Sequence, residues 1–258
     1  MKANYHTHTS RCKHAIGSEE DYVKKAIKEG LEVLGFSDHA PFNFSKNYLS
    51  HCRMRMDEIG DYFDVLLNLR EKYKNEIQIL IGFEIEYYEN LWEDALNAYR
   101  KYPLDYMILG EHFVYDESIN LVDQIVPYTD RAVLDDYVDH CIKAINTNRI
   151  SYVAHPDYSN FTGDNEEYLE SMSRLVLEAK KLNLPLEYNL YGMRLGRIYP
   201  NERFWKMVGE IGAPVIFGCD CHKIEHVADK AEIEEANRRA DKLKLNVIDK
   251  LTLKNPIF

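Results

Sequence analysis

Lys2-Ala3-Asn4-Tyr5-His6-Thr7-His8 is the stretch from which the fold can be read. It has the length and mixture of a β-strand, and because alternate strand residues share a face, His6 and His8 can aim two imidazoles at one point. Alone, such a pair is most often two ordinary histidines in a turn. It gains meaning because His39, Glu84, His112, His155, Asp220 and His222 each end, or closely follow, a further predicted strand.

Working outward, Ser18 followed by Glu19, Glu20 and Asp21 predicts the capped start of a helix that stops at Gly30. A strand over 33–37 delivers Asp38-His39, and a polar loop from Pro41 leads to a helix over 57–73. The strand predicted over 78–87 puts Glu84 and Glu86 on one face. After a helix over 92–101, the apolar run 106–110 ends in Glu111-His112-Phe113, and a helix over 131–146 leads to a strand over 152–157 that Pro156 closes. A helix over 175–182, a strand over 185–190, and a helix over 202–211 bounded by Gly212 follow. A strand over 215–218 then brings in Asp220 and His222. A charged helix over 227–242 and a Leu-rich tail, expected to pack outside the barrel, finish the chain. Strands alternating with helices about seven times predict parallel β/α units. With no Pro-, Gly- or Ser-rich linker and no internal repeat, the expectation is an α/β fold. It would be one domain over 1–258, a distorted (β/α)7 barrel with its site at the carboxyl ends of the strands.

A chain of 258 residues, 45% of them hydrophobic, can build one large core. Its formal net charge of −11 and pI near 5.4 repel nucleic-acid backbones and anionic membranes, so phosphate chemistry would need a local positive centre. Neither nucleic acid nor membrane is an expected partner. No apolar run approaches the roughly 20 residues of a bilayer span, and the amino-terminal segment lacks a signal-peptide pattern, so the expected location is cytoplasmic. Five cysteines without framework spacing suit a reducing compartment. Cys219 and Cys221 are spaced too closely for a zinc knuckle and read as packing residues. His51, His140 and His226 fall outside the strand-end pattern and read as surface or satisfied histidines.

Together these residues resemble the polymerase and histidinol phosphatase (PHP) superfamily along the whole chain. The carrying motifs are His6-Thr7-His8-Thr9 with His14 beyond it, Ser37-Asp38-His39, Gly82-Phe83-Glu84, Gly110-Glu111-His112-Phe113, Ala154-His155-Pro156 and Gly218-Cys219-Asp220-Cys221-His222. The last departs from the more usual Ser-Asp-Ala-His, and its cysteines should face away from the site. Asp38-His39-Ala40-Pro41, Arg53-Met54-Arg55-Met56 and Tyr191-Gly192-Met193-Arg194 look most like the histidinol-phosphatase branch.

The resemblance implies three divalent transition-metal ions, drawn from Zn, Fe or Mn. His6, His8, Glu84 and Asp220 would hold the first, Glu84, His112 and His155 the second, and His14, His39 and His222 the third. Such ions carry about +6 against about −2 from the two carboxylates, an excess that attracts a phosphate dianion. The implied reaction is metal-assisted hydrolysis of a small-molecule phosphate ester without a covalent enzyme intermediate, the implied substrate L-histidinol phosphate of histidine biosynthesis. Asp157 would assist the leaving group or bind a substrate amine, or be a turn aspartate after Pro156. Arg194 and Arg197 would clamp phosphate, or be exposed loop arginines. Beyond Asp157 the chain reads Tyr158-Ser159-Asn160-Phe161, where the branch tends to carry a basic residue; this keeps another small phosphate ester or a nucleotide open as substrate. A non-catalytic metal-binding module is the reading from another class. Nine candidate ligands speak against it, since a structural site normally closes at four.

Overall fold

The computed structural model describes residues 1–45, 48–119 and 123–257. In chain order the elements are β1 (Ala3–Asn4), α1 (Glu19–Glu29), β2 (Val33–His39), α2 (Ile59–Lys72), β3 (Gln78–Ile85), α3 (Trp92–Tyr99), β4 (Tyr106–Leu109) and α4 (Arg131–Asn146). They continue with α5 (Asn165–Lys181), β5 (Leu186–Asn189), α6 (Leu190–Leu195), α7 (Glu202–Ile211), β6 (Pro214–Gly218), α8 (Lys230–Leu243) and β7 (Asn246–Val247). Local chemistry accounts for many of the boundaries. Ser18 Oγ accepts from Asp21 N and Gly30 ends α1 at φ +82°, while Asp130 caps α4. The predicted helix at 175–182 is in fact the second half of α5. Its start is the Asp164 cap with Glu166 and Glu167 in the first turn, where charged residues hide the apolar period.

The strands are parallel, in the order β1-β2-β3-β4 and β5-β6-β7. Single bridges join the two sheets into a ring: Val153 pairs with both Leu109 and Leu186, and Thr7 pairs with Cys221. The predicted strand over 152–157 is therefore a stave without regular strand length, held by Ala154 N to Leu109 O at 2.7 Å and Glu187 N to Val153 O at 2.9 Å. With it the barrel has its seven staves and is a distorted (β/α)7 barrel. The predicted strand over 2–8 is also interrupted. Ala3 and Tyr5 point into the barrel interior, whereas His6 and His8 point into the site above it. Strict alternation cannot serve odd and even residues together, so regular pairing of β1 stops at Asn4.

The interior is layered. Tyr5, Val33, Leu80, Tyr106, Ile108, Tyr152 and Ile216 form an apolar floor separate from the larger core between barrel and helices. Ile248, Leu251 and Leu253 pack against this floor, with Leu251 N donating to Tyr5 Oη at 3.2 Å and Lys254 N to Ser151 Oγ at 3.1 Å. The tail thus closes the amino-terminal end of the barrel instead of packing outside it, because the floor would otherwise meet water. No helix among the described residues is long and apolar enough to cross a membrane.

Tyr106 fixes the middle of the barrel. Its hydroxyl donates to the Tyr5 carbonyl at 2.6 Å, and its ring fills the space that side chains at Gly35 and Gly82 would need. A Cβ at Gly82 would lie 2.5–2.8 Å from three ring atoms that cannot yield. Gly82→Ala is therefore expected to lower stability by about 1–3 kcal/mol, read as an earlier urea midpoint in circular dichroism. Gly60→Ala, whose Cβ would meet only Tyr102 Oη at 3.9 Å, should be neutral or stabilising.

Candidate functional site

Above the floor, the inward positions turn polar, and on three staves a glycine separates the last apolar residue from the first polar one. On β3 and beyond they read Leu80, Gly82, Glu84, Glu86; on β4 and beyond, Tyr106, Ile108, Gly110, His112; on β6 and beyond, Ile216, Gly218, Asp220. The glycines make room. A Cβ at Gly110 would stand 2.1 Å from Glu84 Oε1, and one at Gly218 would stand 1.7 Å from Glu187 Oε1. Two residues adopt a left-handed backbone to deliver their side chains, His155 at φ +28° and Asp220 at φ +46°. Each costs about 1–3 kcal/mol, held against by His155 N donating to Glu187 Oε2 at 3.0 Å and by Cys219 N and Cys221 N donating to Asn4 Oδ1 and His6 O.

All nine sequence-nominated ligand residues come together. Glu84 lies at the centre, its two oxygens 2.8 Å from His155 Nε2, 3.0 Å from His39 Nδ1, 3.5 Å from both His6 Nε2 and His8 Nε2, and 3.6 Å from His112 Nε2. Asp220 Oδ1 stands 3.3 Å from His8 Nε2 and 3.7 Å from His6 Nε2. His14 stacks on His222 at 4.5 Å, and donor atoms of His14, His39 and His222 fall within 4.8 Å of one another. The same holds for His6, His8 and Glu84, and for His39, Glu84 and His112. These residues surround a cavity of about 200 Å³, which His8, His14, His39, Glu84, His112, His155, Asp220 and His222 line.

The donor set fits divalent cations. His8 Nδ1, His39 Nδ1, His155 Nδ1, His222 Nε2, Glu84 Oε2 and Asp220 Oδ1 are buried and crowded against one another without a well-aligned hydrogen bond, a local concentration well above what native interiors usually carry. His6 Nδ1 lies 2.8 Å from Glu187 Oε1 and His112 Nδ1 lies 2.9 Å from Glu86 Oε1, so each neutral ring would donate there and turn the lone pair of its Nε2 toward Glu84. Protonation follows the same geometry. Burial opposes ionisation of Glu84 and Asp220, but the surrounding imidazoles, His6 foremost, hold both well below the usual carboxylate range. Burial pushes His39 and His222 down to about 3. It also opposes the charge on His112, but Glu84 and Glu86 outweigh it and carry that ring up to about 9.

Two of the three residues nominated for the reaction do not line the cavity. Asp157 is turned away from the cavity: its Oδ2 accepts from Asn201 N at 2.5 Å and Trp205 Nε1 at 2.9 Å, holding the start of α7, and burial raises its carboxyl to about 7. Arg194 is engaged by Glu232 through Nε and through Nη2 at 2.6 Å and does not line the cavity. Of the two arginines only Arg197 does, with its guanidinium 5.1 Å from the Tyr191 ring centre. His51 is exposed, as expected, and lies at the edge of the cavity. Cys219 and Cys221 point into the outer core, as expected.

Sequence reasoning passed over several participants. Glu187 is fully buried and holds His6, His155 N and Asn189 together; its one signal was a glutamate alternating with apolar residues at a strand end. Asp123, Tyr158 and Tyr199 line the cavity from loops whose sequence carries no periodic signal, and Tyr191 from the short α6. Cys12 Sγ comes within 4.8 Å of donor atoms of His8 and His222; burial opposes its ionisation, but hydrogen bonds from His14 and His8 bring the thiol down to about 5.

Known proteins share this sequence pattern and this fold. The sequence profile of the PHP domain matches residues 4–190. A "Probable histidinol-phosphatase" of Deinococcus radiodurans is 22% identical over 224 residues, covering 84% of this chain and 85% of the relative. The histidinol-phosphatase of Bacillus subtilis is 24% identical over 253 residues, covering 86% of this chain and 94% of its own. In fold, the chain is similar to the crystal structure of histidinol phosphate phosphatase from Lactococcus lactis complexed with zinc, L-histidinol and phosphate. The TM-score is 0.71 at 19% identity, with 97% of each chain covered.

Because Glu187 orients His6, Glu187→Gln is expected to weaken divalent-metal binding by about 10- to 100-fold while leaving the far-ultraviolet dichroism unchanged. Competition against a chelator of known affinity measures this.

Proposed function

The chain belongs to the PHP domain family, and from that membership we propose that it is a metal-dependent phosphomonoesterase hydrolysing L-histidinol phosphate to L-histidinol and phosphate, a step of histidine biosynthesis. The observation that carries this reading is the convergence of nine imidazole and carboxylate side chains, eight of them lining one small cavity and six with a buried atom that makes no well-aligned hydrogen bond. Three divalent ions are the proposed complement: one held by His6, His8, Glu84 and Asp220, one by Glu84, His112 and His155, and one by His14, His39 and His222. Zn is favoured by the histidine-rich set, with Fe and Mn as the other candidates. When bound, such ions supply Lewis acidity and a water nucleophile that is active near neutral pH.

The chain's own residues supply the rest. Glu84, with both oxygens among imidazoles, would hold two of the ions. Arg197, which has no ion-pair partner among the described residues, is available at the wall to hold phosphoryl oxygens in a fork. Asp123 takes the part for which sequence nominated Asp157. Its Oδ1 accepts from Tyr158 Oη at 2.9 Å and Ile125 N at 3.0 Å, and the carboxylate faces the cavity where the substrate's ammonium would need a counter-charge. Phe113, Tyr158 and Tyr199 give an apolar wall suited to the imidazole of the leaving alcohol. A cavity of about 200 Å³ suits a small ester.

Elemental analysis of purified, metal-loaded protein should find close to three transition-metal ions per chain. Glu84→Gln should abolish phosphate release while retaining the helical dichroism, since a neutral amide is a poor bridge between cations. Protein that holds no metal under any loading condition would remove the basis of the proposal.

For the substrate, Asp123→Asn should reduce kcat/KM for histidinol phosphate at least tenfold more than for p-nitrophenyl phosphate, which has no amine. Arg197→Ala should weaken both. Parent protein that hydrolyses histidinol phosphate no faster than unrelated esters would leave only a phosphoesterase of another substrate.

A further inference from the structure

Arg53 lies in the loop between β2 and α2, outside the cluster of candidate ligands, yet it is 1% exposed. All five of its donors are engaged. Nε and Nη2 reach the two oxygens of Glu117 at 3.1 and 3.2 Å, Nη1 and Nη2 reach those of Glu86 at 2.7 and 3.0 Å, and the remaining Nη1 proton goes to Ala40 O at 3.1 Å. Ala40 directly follows β2, Glu86 directly follows β3, and Glu117 lies in the loop beyond β4. One planar fork therefore ties together three neighbouring loops of the cavity's rim. The Glu86 oxygen that Nη2 contacts is also the one 2.9 Å from His112 Nδ1.

We propose that Arg53 is a positioning residue for the reaction: through Glu86 it sets the ring orientation and tautomer of His112, and through Glu117 it anchors the loop that carries this histidine. The role requires the fork. An ammonium group has three donors on a flexible stem and cannot satisfy two carboxylates and a carbonyl in one plane. The proposal rests on the metallophosphatase reading for its kinetic consequence, though not for its structural one.

The test compares the parent with Arg53→Lys, which keeps the charge and loses the fork. Ring-nitrogen NMR of the metal-free protein, with the His112 signals assigned by their loss in His112→Gln, should show a hydrogen-bonded Nδ1 proton in the parent that broadens or disappears in Arg53→Lys. Zinc affinity should fall about 10- to 100-fold. At limiting zinc, kcat should fall by a similar factor and largely recover at saturating zinc, with KM unchanged, a pattern that general loosening of the fold does not produce. If Arg53→Lys fails to fold by circular dichroism, the double variant Arg53→Met/Glu117→Gln preserves the net charge of the cluster and is expected to show the same losses. A folded variant with the parent's His112 signal and zinc affinity overturns the proposal. A parent that neither binds zinc nor releases phosphate would refute the metallophosphatase reading instead, and the NMR comparison would still decide the role of Arg53.

Discussion

Glu84 is a buried carboxylate ringed by five imidazoles, and the upper half of the barrel is arranged to make that burial tolerable. An isolated carboxylate in a dry interior costs far more than a fold of this size can spare, so it must be paired with cations or hydrogen-bond donors. The demand propagates outward. Gly110 has to lack a side chain because Glu84 occupies the space, and Gly218 does the same for Glu187. His155 and Asp220 take left-handed backbones that ordinary staves avoid.

Around this centre lies a second shell of acids. Glu187 serves His6, Glu86 serves His112, and Asp38 approaches His8 Nδ1 at 3.5 Å while accepting from Thr9 N at 3.1 Å. Glu187 and Glu86 each contact the ring nitrogen that faces away from Glu84, which selects the tautomer presenting a lone pair inward. The chain's excess of negative charge thus has a local use. Acidic residues that would repel a phosphate at long range here orient the groups suited to hold cations against it.

Beneath the polar half, the barrel is sealed. Tyr106 fills the middle against two glycines, and the carboxyl-terminal tail covers the apolar floor, so the cavity opens at the carboxyl ends of the strands and the opposite end is closed by packing. Rigid support of this kind matters for a site in which donor atoms have to be held within a few tenths of an ångström.

Much was legible in sequence because its causes are local. The cap at Ser18, the glycine stops at Gly30 and Gly212, and the strand periodicity that brings histidines to one end of a barrel all act over a few residues. Eight of the nine candidate ligands stand at predicted strand ends for this reason, and the family resemblance supplied His14 and the ligand roles. Partner choice is different, because it is decided between segments far apart in the chain. His6 meets Glu187 across 181 positions, Arg53 meets Glu117 across 64, and Asp157 is drawn to Trp205 across 48. Sequence placed Glu84 and Glu86 on one face and could not say that one would stand among the histidines and the other against an arginine. Nor could it show that Val153 would join two sheets by single bridges or that the tail would turn under the barrel. Those outcomes belong to tertiary structure, since a side chain's partner is set by which surfaces the packed core brings into contact, and alternation along a strand fixes only the direction in which it points.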